Sequence, residues 1–135
     1  MDGLKYSTKW KERFAFFEQN GAPDTPEHKA AIKAAKPALR VLIGMNIIAF
    51  FFGFIYFFVL GLWKKNLVLI AGFFCVGLVI GIVEIIIGAD LPLGAYYGIG
   101  LAMGLMWSMI ANYAYYLKEI KGSDNWNPFE GIKLI

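Results

Sequence analysis

The chain has 135 residues, of which 59% are hydrophobic and 17% charged, and its formal net charge is +3. Ordinary soluble domains carry roughly 25% charged residues. The central stretch, residues 41–117, departs furthest from that composition, because its only charged residues are Lys64, Lys65, Glu84 and Asp90. This excludes a soluble domain with a polar shell and indicates that lipid is the solvent of the central region. The single cysteine, Cys75, excludes an internal disulfide bond.

Residues 1–40 are predicted to form a cytoplasmic region with two short helices. Ser7 is the predicted N-cap of the first helix and Thr25 that of the second, and Pro37 is predicted to end the second helix. His28 is expected to be solvated or to take part in capping. The region holds eight of the chain's 13 Lys and Arg residues. Beside a membrane segment, such a basic stretch is typical of a cytoplasmic face near anionic lipid, so nucleic-acid binding is not expected.

One face of the first predicted helix is aromatic. Trp10, Phe14 and Phe17 are spaced four and three residues apart, which places them on the same side of a helix. This face has two interpretations. It binds the membrane surface or a protein partner, or it packs on the membrane helices of its own chain.

Three long apolar segments follow, at residues 41–63, 67–89 and 91–117. A helix that spans a membrane needs about 20 apolar residues, and each segment reaches that length. The predicted fold class is therefore an all-α membrane protein with three long hydrophobic helices. Residues 41–117 form the membrane domain, and residues 118–135 form a polar C-terminal tail in which Gly122 is a predicted helix stop.

The Lys and Arg residues leave two topologies open. If all three segments cross, eight of the 13 lie on the side of the N-terminus and five on the other. If residues 41–63 enter and return on the same side, all 13 lie on one side, which the positive-inside rule prefers. Asn46 and Gly53 are the plausible bend points of such a hairpin. The unbroken hydrophobicity of the segment favours a crossing helix instead.

Two stretches resemble a known family. Residues 6–21 read YSTKWKERFAFFEQNG and residues 50–65 read FFFGFIYFFVLGLWKK. This pattern of a charged aromatic helix, a Phe-rich FFFG stretch and an aromatic-basic step is similar to the small bacterial inner-membrane proteins of the DUF2628 type. The resemblance implies a bacterial envelope location and no assigned chemistry. Members are expected to carry proline after the FFF run, whereas here Phe54 follows Gly53, which favours a straight helix.

Small residues recur at helical spacing in the second and third segments and predict faces where another helix can approach closely. Gly77, Gly81, Glu84 and Gly88 share one stripe of the second segment. In the third segment, Gly94 and Gly98 lie on one face and Gly104 on another. These faces are predicted to pack against each other, a second copy of the chain or another membrane protein.

Three polar side chains are predicted inside the apolar segments, at Asn46, Glu84 and Asn112. An ionisable group in a membrane helix is costly and therefore suggests a function. The partner predicted for Glu84 depends on the topology. It is Asn46 if all three segments cross, and Tyr96 or Tyr97 if the first segment folds back.

The sequence contains no recognisable catalytic motif, so neither an enzyme, a cofactor nor a metal ion is expected. The predicted function is that of a noncatalytic multi-pass protein of the bacterial inner membrane, with a cytoplasmic N-terminus, which acts through helix–helix and protein–protein contacts. The alternative is a subunit of an oligomeric small transporter or channel that uses Glu84.

Overall fold

The computed structural model describes residues 6–132, which fold into helices joined by short connections. The helices described are α1 (Thr8–Asn20), α2 (Pro26–Ala34), α3 (Pro37–Gly44), α4 (Ile47–Val59), α5 (Trp63–Ile87) and α6 (Leu93–Glu119). Three stretches are long and apolar enough to cross a membrane, namely Pro37–Val59, Trp63–Ile87 and Leu93–Glu119. The predicted all-α class with three long hydrophobic segments is confirmed.

The helices of the N-terminal region begin where the local sequence predicts. The Ser7 side chain accepts a hydrogen bond from the backbone N–H of Trp10 at 3.3 Å, and Thr25 caps α2 in the same way. As predicted, the second helix ends before Pro37, because α2 stops at Ala34 and Lys36 is extended; Pro37 itself opens α3. Proline suits a first helical turn, where its missing N–H would have no partner.

The first apolar segment is not one straight helix. Met45 and Asn46 are both extended, with φ of −135°, and separate α3 from α4. A second irregularity lies inside α4 at Phe52, which has φ −123° and ψ 22° and divides the helix into two limbs. The expectation that the missing proline after Gly53 keeps the segment straight is therefore wrong. Contacts with α6, described below, stabilise both interruptions.

The first limb of α4 runs along α6 toward the middle of that helix. At the start of the limb, the backbone N–H of Asn46 donates to the hydroxyl of Ser108 at 2.8 Å. Four residues later the chain lies beside Gly104, where an added Cβ atom would be 2.9 Å from the carbonyl oxygen of Phe50. The chain thus moves away from the C-terminal end of α6 as it passes from Asn46 to Phe50.

The second limb brings the chain back to the same end of α6. Gly53 lies against the Trp107 ring, where an added Cβ would be 2.7 Å from the ring. Gly61, in the left-handed turn after α4 with φ +78°, lies beside Lys118 near the end of α6. The segment therefore begins and ends beside the C-terminal half of α6, so it folds back along that helix.

The polar segments of the chain gather at this end of the helices, in what we call the polar cap: α1, α2, the Lys64–Lys65 corner and residues 120–132. The backbone N–H of Asp24 donates to the carbonyl oxygen of Gly131 at 3.1 Å. The Lys65 ammonium donates to the carbonyl oxygen of Asn125 at 3.1 Å. The N-terminal region, the corner before α5 and the C-terminal tail are therefore joined directly.

The other end of the structure is a sparsely packed hairpin of α5 and α6. At five of the six glycines predicted to pack, an added Cβ atom would meet no atom of the chain within 4 Å; these are Gly77, Gly81, Gly88, Gly94 and Gly98. Gly104 does pack, against Phe50 of α4. Contacts of the five with a second copy or another protein stay a prediction.

We predict that Gly104→Ala destabilises the protein while Gly98→Ala does not. Alanine favours helix over glycine by about 1 kcal/mol, so Gly98→Ala, in open space, leaves stability unchanged or raises it. At Gly104 the new methyl group meets a backbone oxygen, and such overpacking costs typically about 1–3 kcal/mol. The measurement is the fraction of detergent-solubilised protein that stays monodisperse after heating. Equal heat resistance of the two variants would contradict the packing of α4 on α6.

Candidate functional site

The centre of the structure is a buried polar network at the break between α3 and α4. The Asn112 side chain is 1% exposed. Its amide nitrogen lies 3.1, 3.0 and 2.8 Å from the carbonyl oxygens of Leu42, Ile43 and Met45. These carbonyls stand at the C-terminal end of α3, where a helix offers them no partner of its own. The two amide hydrogens of Asn112 are therefore shared among the orphaned carbonyls.

Asn46 and Ser108 complete the network. The Asn46 side-chain oxygen accepts from the backbone N–H of Ala49 at 3.1 Å, which caps the start of α4, and its amide donates to the Asn112 side-chain oxygen at 3.1 Å. The Ser108 hydroxyl accepts from the Asn46 N–H and donates to the Asn46 carbonyl, at 2.8 and 3.0 Å. Two of the predicted intramembrane polar residues, Asn46 and Asn112, thus bind each other.

A second buried asparagine, Asn66, joins α4, α5 and α6. Its amide donates to the carbonyl oxygen of Phe54 at 2.8 Å, and its side-chain oxygen accepts from the indole N–H of Trp107 at 2.8 Å. Asn66 is not among the site residues predicted from the sequence. The available signal was an uncharged polar side chain directly after Lys64 and Lys65, at the start of an apolar helix.

Glu84 lies at the opposite end, where it organises the connection between α5 and α6. Its carboxylate accepts from the backbone N–H of Leu91 at 3.0 Å and from the hydroxyl of Tyr96. Of the partners proposed for Glu84, namely Asn46, Tyr96 and Tyr97, the structure brings Tyr96 to it and places Asn46 at the other end. The carboxylate therefore fastens a helix connection within the chain.

The aromatic face of α1 lies inside the protein. Phe14 and Phe17 are buried, with ring centroids 6.1 and 5.3 Å from that of Tyr116 on α6. Trp10 is half-buried and lies 4.7 Å from Tyr115. The surface or partner role predicted for Phe14 and Phe17 is therefore wrong, and the alternative, packing on the chain's own helices, is confirmed. Only Trp10 keeps part of its ring accessible.

Two ionisable side chains of the N-terminal region are also buried. Arg13 donates from Nε to the carbonyl oxygen of Leu42 at 2.8 Å, and burial lowers the pKa of its guanidinium. His28 is buried rather than solvated, and its Nδ1 lies 3.0 Å from the Gly21 carbonyl oxygen. Because burial penalises the charged imidazole, the pKa of His28 is also lowered, against a smaller opposing effect of the Gly21 hydrogen bond.

The fold and the site define an all-helical protein with three helices long and apolar enough to span a membrane, the first of them broken and folded back. Its family is the one described as "Protein of unknown function (DUF2628)", which matches residues 4–121, and the chain belongs to that family. The match extends well beyond the two stretches that first indicated it.

Two relatives illustrate the similarity. The chain is 42% identical over 125 residues to "Uncharacterized protein YigF" of Salmonella typhimurium, and the alignment covers 90% of each of the two chains. It is 41% identical over 131 residues to "Uncharacterized protein YigF" of Escherichia coli K12, which covers 94% of this chain and 95% of that protein. No solved structure matches the chain.

We predict that Asn112→Leu and Asn112→Asp both destabilise the fold. Leucine keeps the bulk of the side chain and aspartate keeps its shape, but neither supplies the amide hydrogens that the α3 carbonyls share. An unsatisfied buried polar group costs about 1–3 kcal/mol. The readout is the temperature at which purified protein in detergent loses its monodisperse peak. Gln19→Leu, at an exposed position of α1, is the control. A leucine variant at position 112 that is as stable as this control would contradict the role given to Asn112.

Proposed function

We propose that this protein is a noncatalytic multi-pass protein of the bacterial inner membrane that acts through contacts, with the polar cap on the cytoplasmic side. The supporting observation is the distribution of charge. The eleven Lys and Arg residues within residues 6–132 are all of the chain's 13 except Lys5 and Lys133. They belong to the polar cap, to α3 and its N-cap Lys36, or to the end of α6. The charged residues of the opposite end are Glu84 and Asp90. By the positive-inside rule, the basic end faces the cytoplasm.

In this arrangement α5 and α6 cross the membrane and α4 does not. At 1.5 Å per residue, α5 with 25 residues and α6 with 27 are about 37 and 40 Å long, which exceeds the roughly 30 Å of hydrocarbon. The α4 limbs enter from the cytoplasmic side and return there. Irregular backbone at that depth is tolerated where other parts of the protein bury it, as the network around Asn112 does.

The polar cap is the surface proposed for a cytoplasmic partner. Its parts are fixed to one another by specific contacts. The Lys65 ammonium donates to the Asn125 carbonyl oxygen, and the Trp63 and Trp126 rings meet edge to face with centroids 5.3 Å apart. Trp126 is also half exposed, so an aromatic side chain is available at the cap. Within the bilayer, the open glycine faces of α5 and α6 suit a second copy or another membrane helix.

The alternative, a subunit of an oligomeric transporter or channel, has less support. A single chain with two crossing helices and a folded-back segment encloses no pathway, so a pore would need several copies. Glu84, the group that such a function would use, is engaged by Leu91 and Tyr96 at the connection between α5 and α6. A structural role accounts for those contacts without transport.

The topology has a direct test. In intact cells, we expect a reporter fused after Ile135 to be cytoplasmic and a reporter inserted at Ala89 to be periplasmic, because α5 and α6 then form a hairpin through the membrane. An N-terminal fusion serves as the internal control and is expected inside. A periplasmic C-terminal reporter would mean that the segment containing α4 crosses, and the proposed arrangement would fall.

Ion flux through reconstituted vesicles separates the two functions. We expect proteoliposomes with wild-type protein to pass protons and monovalent cations no faster than empty vesicles, and Glu84→Gln to behave alike. Glutamine can still accept the Leu91 N–H bond, and Asp90→Asn is the matched control for loss of one acid at the same end. Flux that needs Glu84 and survives Asp90→Asn would favour the transporter over the contact function.

A further inference from the structure

A cleft of about 500 Å³ opens between α1, α3 and α4, beside the break in the first apolar segment. Its walls differ in character. One wall carries charged and hydrogen-bonding side chains, and the other carries aliphatic side chains. The polar wall includes Lys9, Glu12, Arg13 and Tyr56, and the aliphatic wall includes Val41, Ile47 and Ile48.

Arg13 is the buried cation of the polar wall, and its charge is not balanced by an ion pair within the described residues. It is 8% exposed, yet within residues 6–132 no carboxylate forms an ion pair with it. Its Nε donates to the Leu42 carbonyl, and its guanidinium carbon lies 4.6 Å from the centre of the Trp10 ring. The two terminal nitrogens have no hydrogen-bond acceptor in the described part of the chain. Burying a cation without a counter-charge is unfavourable, because the charge loses its hydration. An anion bound in the cleft would offset this desolvation free energy.

The neighbours of Arg13 fit the same ligand chemistry. Tyr56 lines the cleft. Its hydroxyl makes no hydrogen bond among the described residues, so it is free of a competing partner there and can donate to an anionic oxygen. Lys9 adds a positive charge at the exposed rim. The Glu12 carboxylate at the same rim would repel an anion. Lys9 and Glu12 are both exposed, so solvent screens both charges. The planar guanidinium is the buried charge, and its paired N–H groups match the geometry of a phosphate.

The aliphatic wall selects a lipid over a soluble anion. Val41, Ile47 and Ile48 are 49%, 63% and 53% exposed. In a membrane protein these side chains face hydrocarbon, immediately next to a buried cation at the cytoplasmic level of the helices. A phosphate at the Arg13 end of the cleft would therefore have room for an acyl chain along the aliphatic wall.

We infer that this cleft binds one anionic phospholipid, with its phosphate on Arg13 and Tyr56 and an acyl chain along Val41, Ile47 and Ile48. This inference rests on the membrane location proposed above. The bound lipid would connect α1 of the polar cap to the folded-back segment. The affinity of the cytoplasmic region for its membrane surface would thus depend on a specific site as well as on general basic charge.

The test measures lipid binding by full-length protein in detergent, by native mass spectrometry and by the lipid-dependent rise in melting temperature. The probes are phosphatidylglycerol, phosphatidylcholine and soluble glycerol 3-phosphate. We expect phosphatidylglycerol to bind most tightly and Arg13→Gln to weaken it about tenfold or more, as for loss of a charged hydrogen bond. Lys11→Gln removes a positive charge from the same helix outside the cleft and is expected to bind like wild type.

Tyr56→Phe keeps the inference testable if Arg13→Gln does not fold. It removes one hydroxyl and no charge, and we expect a several-fold loss of phosphatidylglycerol binding with unchanged melting temperature in lipid-free detergent. Equal phosphatidylglycerol affinity in wild type and in both cleft variants would overturn the inference. So would glycerol 3-phosphate that binds as tightly as the lipid, because it would leave the aliphatic wall without a role.

Extraction of cell membranes with alkaline carbonate separates this inference from the membrane proposal. Wild type and Arg13→Gln are both expected to stay in the membrane pellet, since α5 and α6 are unchanged. If both stay there but bind phosphatidylglycerol equally, the lipid site fails and the membrane location stands. If wild type is released by carbonate, the membrane location itself fails, and the lipid site fails with it.

Discussion

The rest of the structure depends on one constraint, which is that the Asn112 amide satisfies the open end of α3. Without that donor, the chain would have to continue α3 as a straight helix for these carbonyls to find hydrogen-bond partners. With it, the chain can stop α3, start α4 on the Asn46 cap and turn back. The position of the corner before α5, and hence of every later element, follows from that turn.

The break and the network are energetically one unit. In an apolar environment each unpaired backbone group costs several kcal/mol, so an interrupted helix persists only where other side chains replace the missing bonds. Asn46, Ser108 and Asn112 do so with side chains that are themselves almost fully paired. The distribution of charge agrees independently with the same geometry, because a folded-back first segment puts Lys64 and Lys65 beside the basic N-terminal region.

The sequence predicted what depends on local signals and failed where distant contacts decide. Ser7 and Thr25 begin helices because each cap bonds to a backbone N–H three residues away. Asn46 was a candidate bend point, but its partners on α6 lie 62 and 66 residues further along the chain, and no local pattern identifies them. For the same reason, glycine spacing predicted six packing positions, while packing within the chain selected Gly104 and also Gly53, which was considered only as a bend.

The buried polar side chains fall into two kinds, and the difference separates stability from binding. Asn46, Asn66 and Asn112 each have partners within the chain for both the amide nitrogen and the amide oxygen, and none of the three is more than 2% exposed. Arg13 is also buried, at 8% exposed, but among the described residues only its Nε has a hydrogen-bond acceptor. The remaining N–H donors of Arg13 are therefore available to an anionic ligand in the cleft. In the proposed membrane location, the nearest source of such a partner is the lipid beside the aliphatic wall.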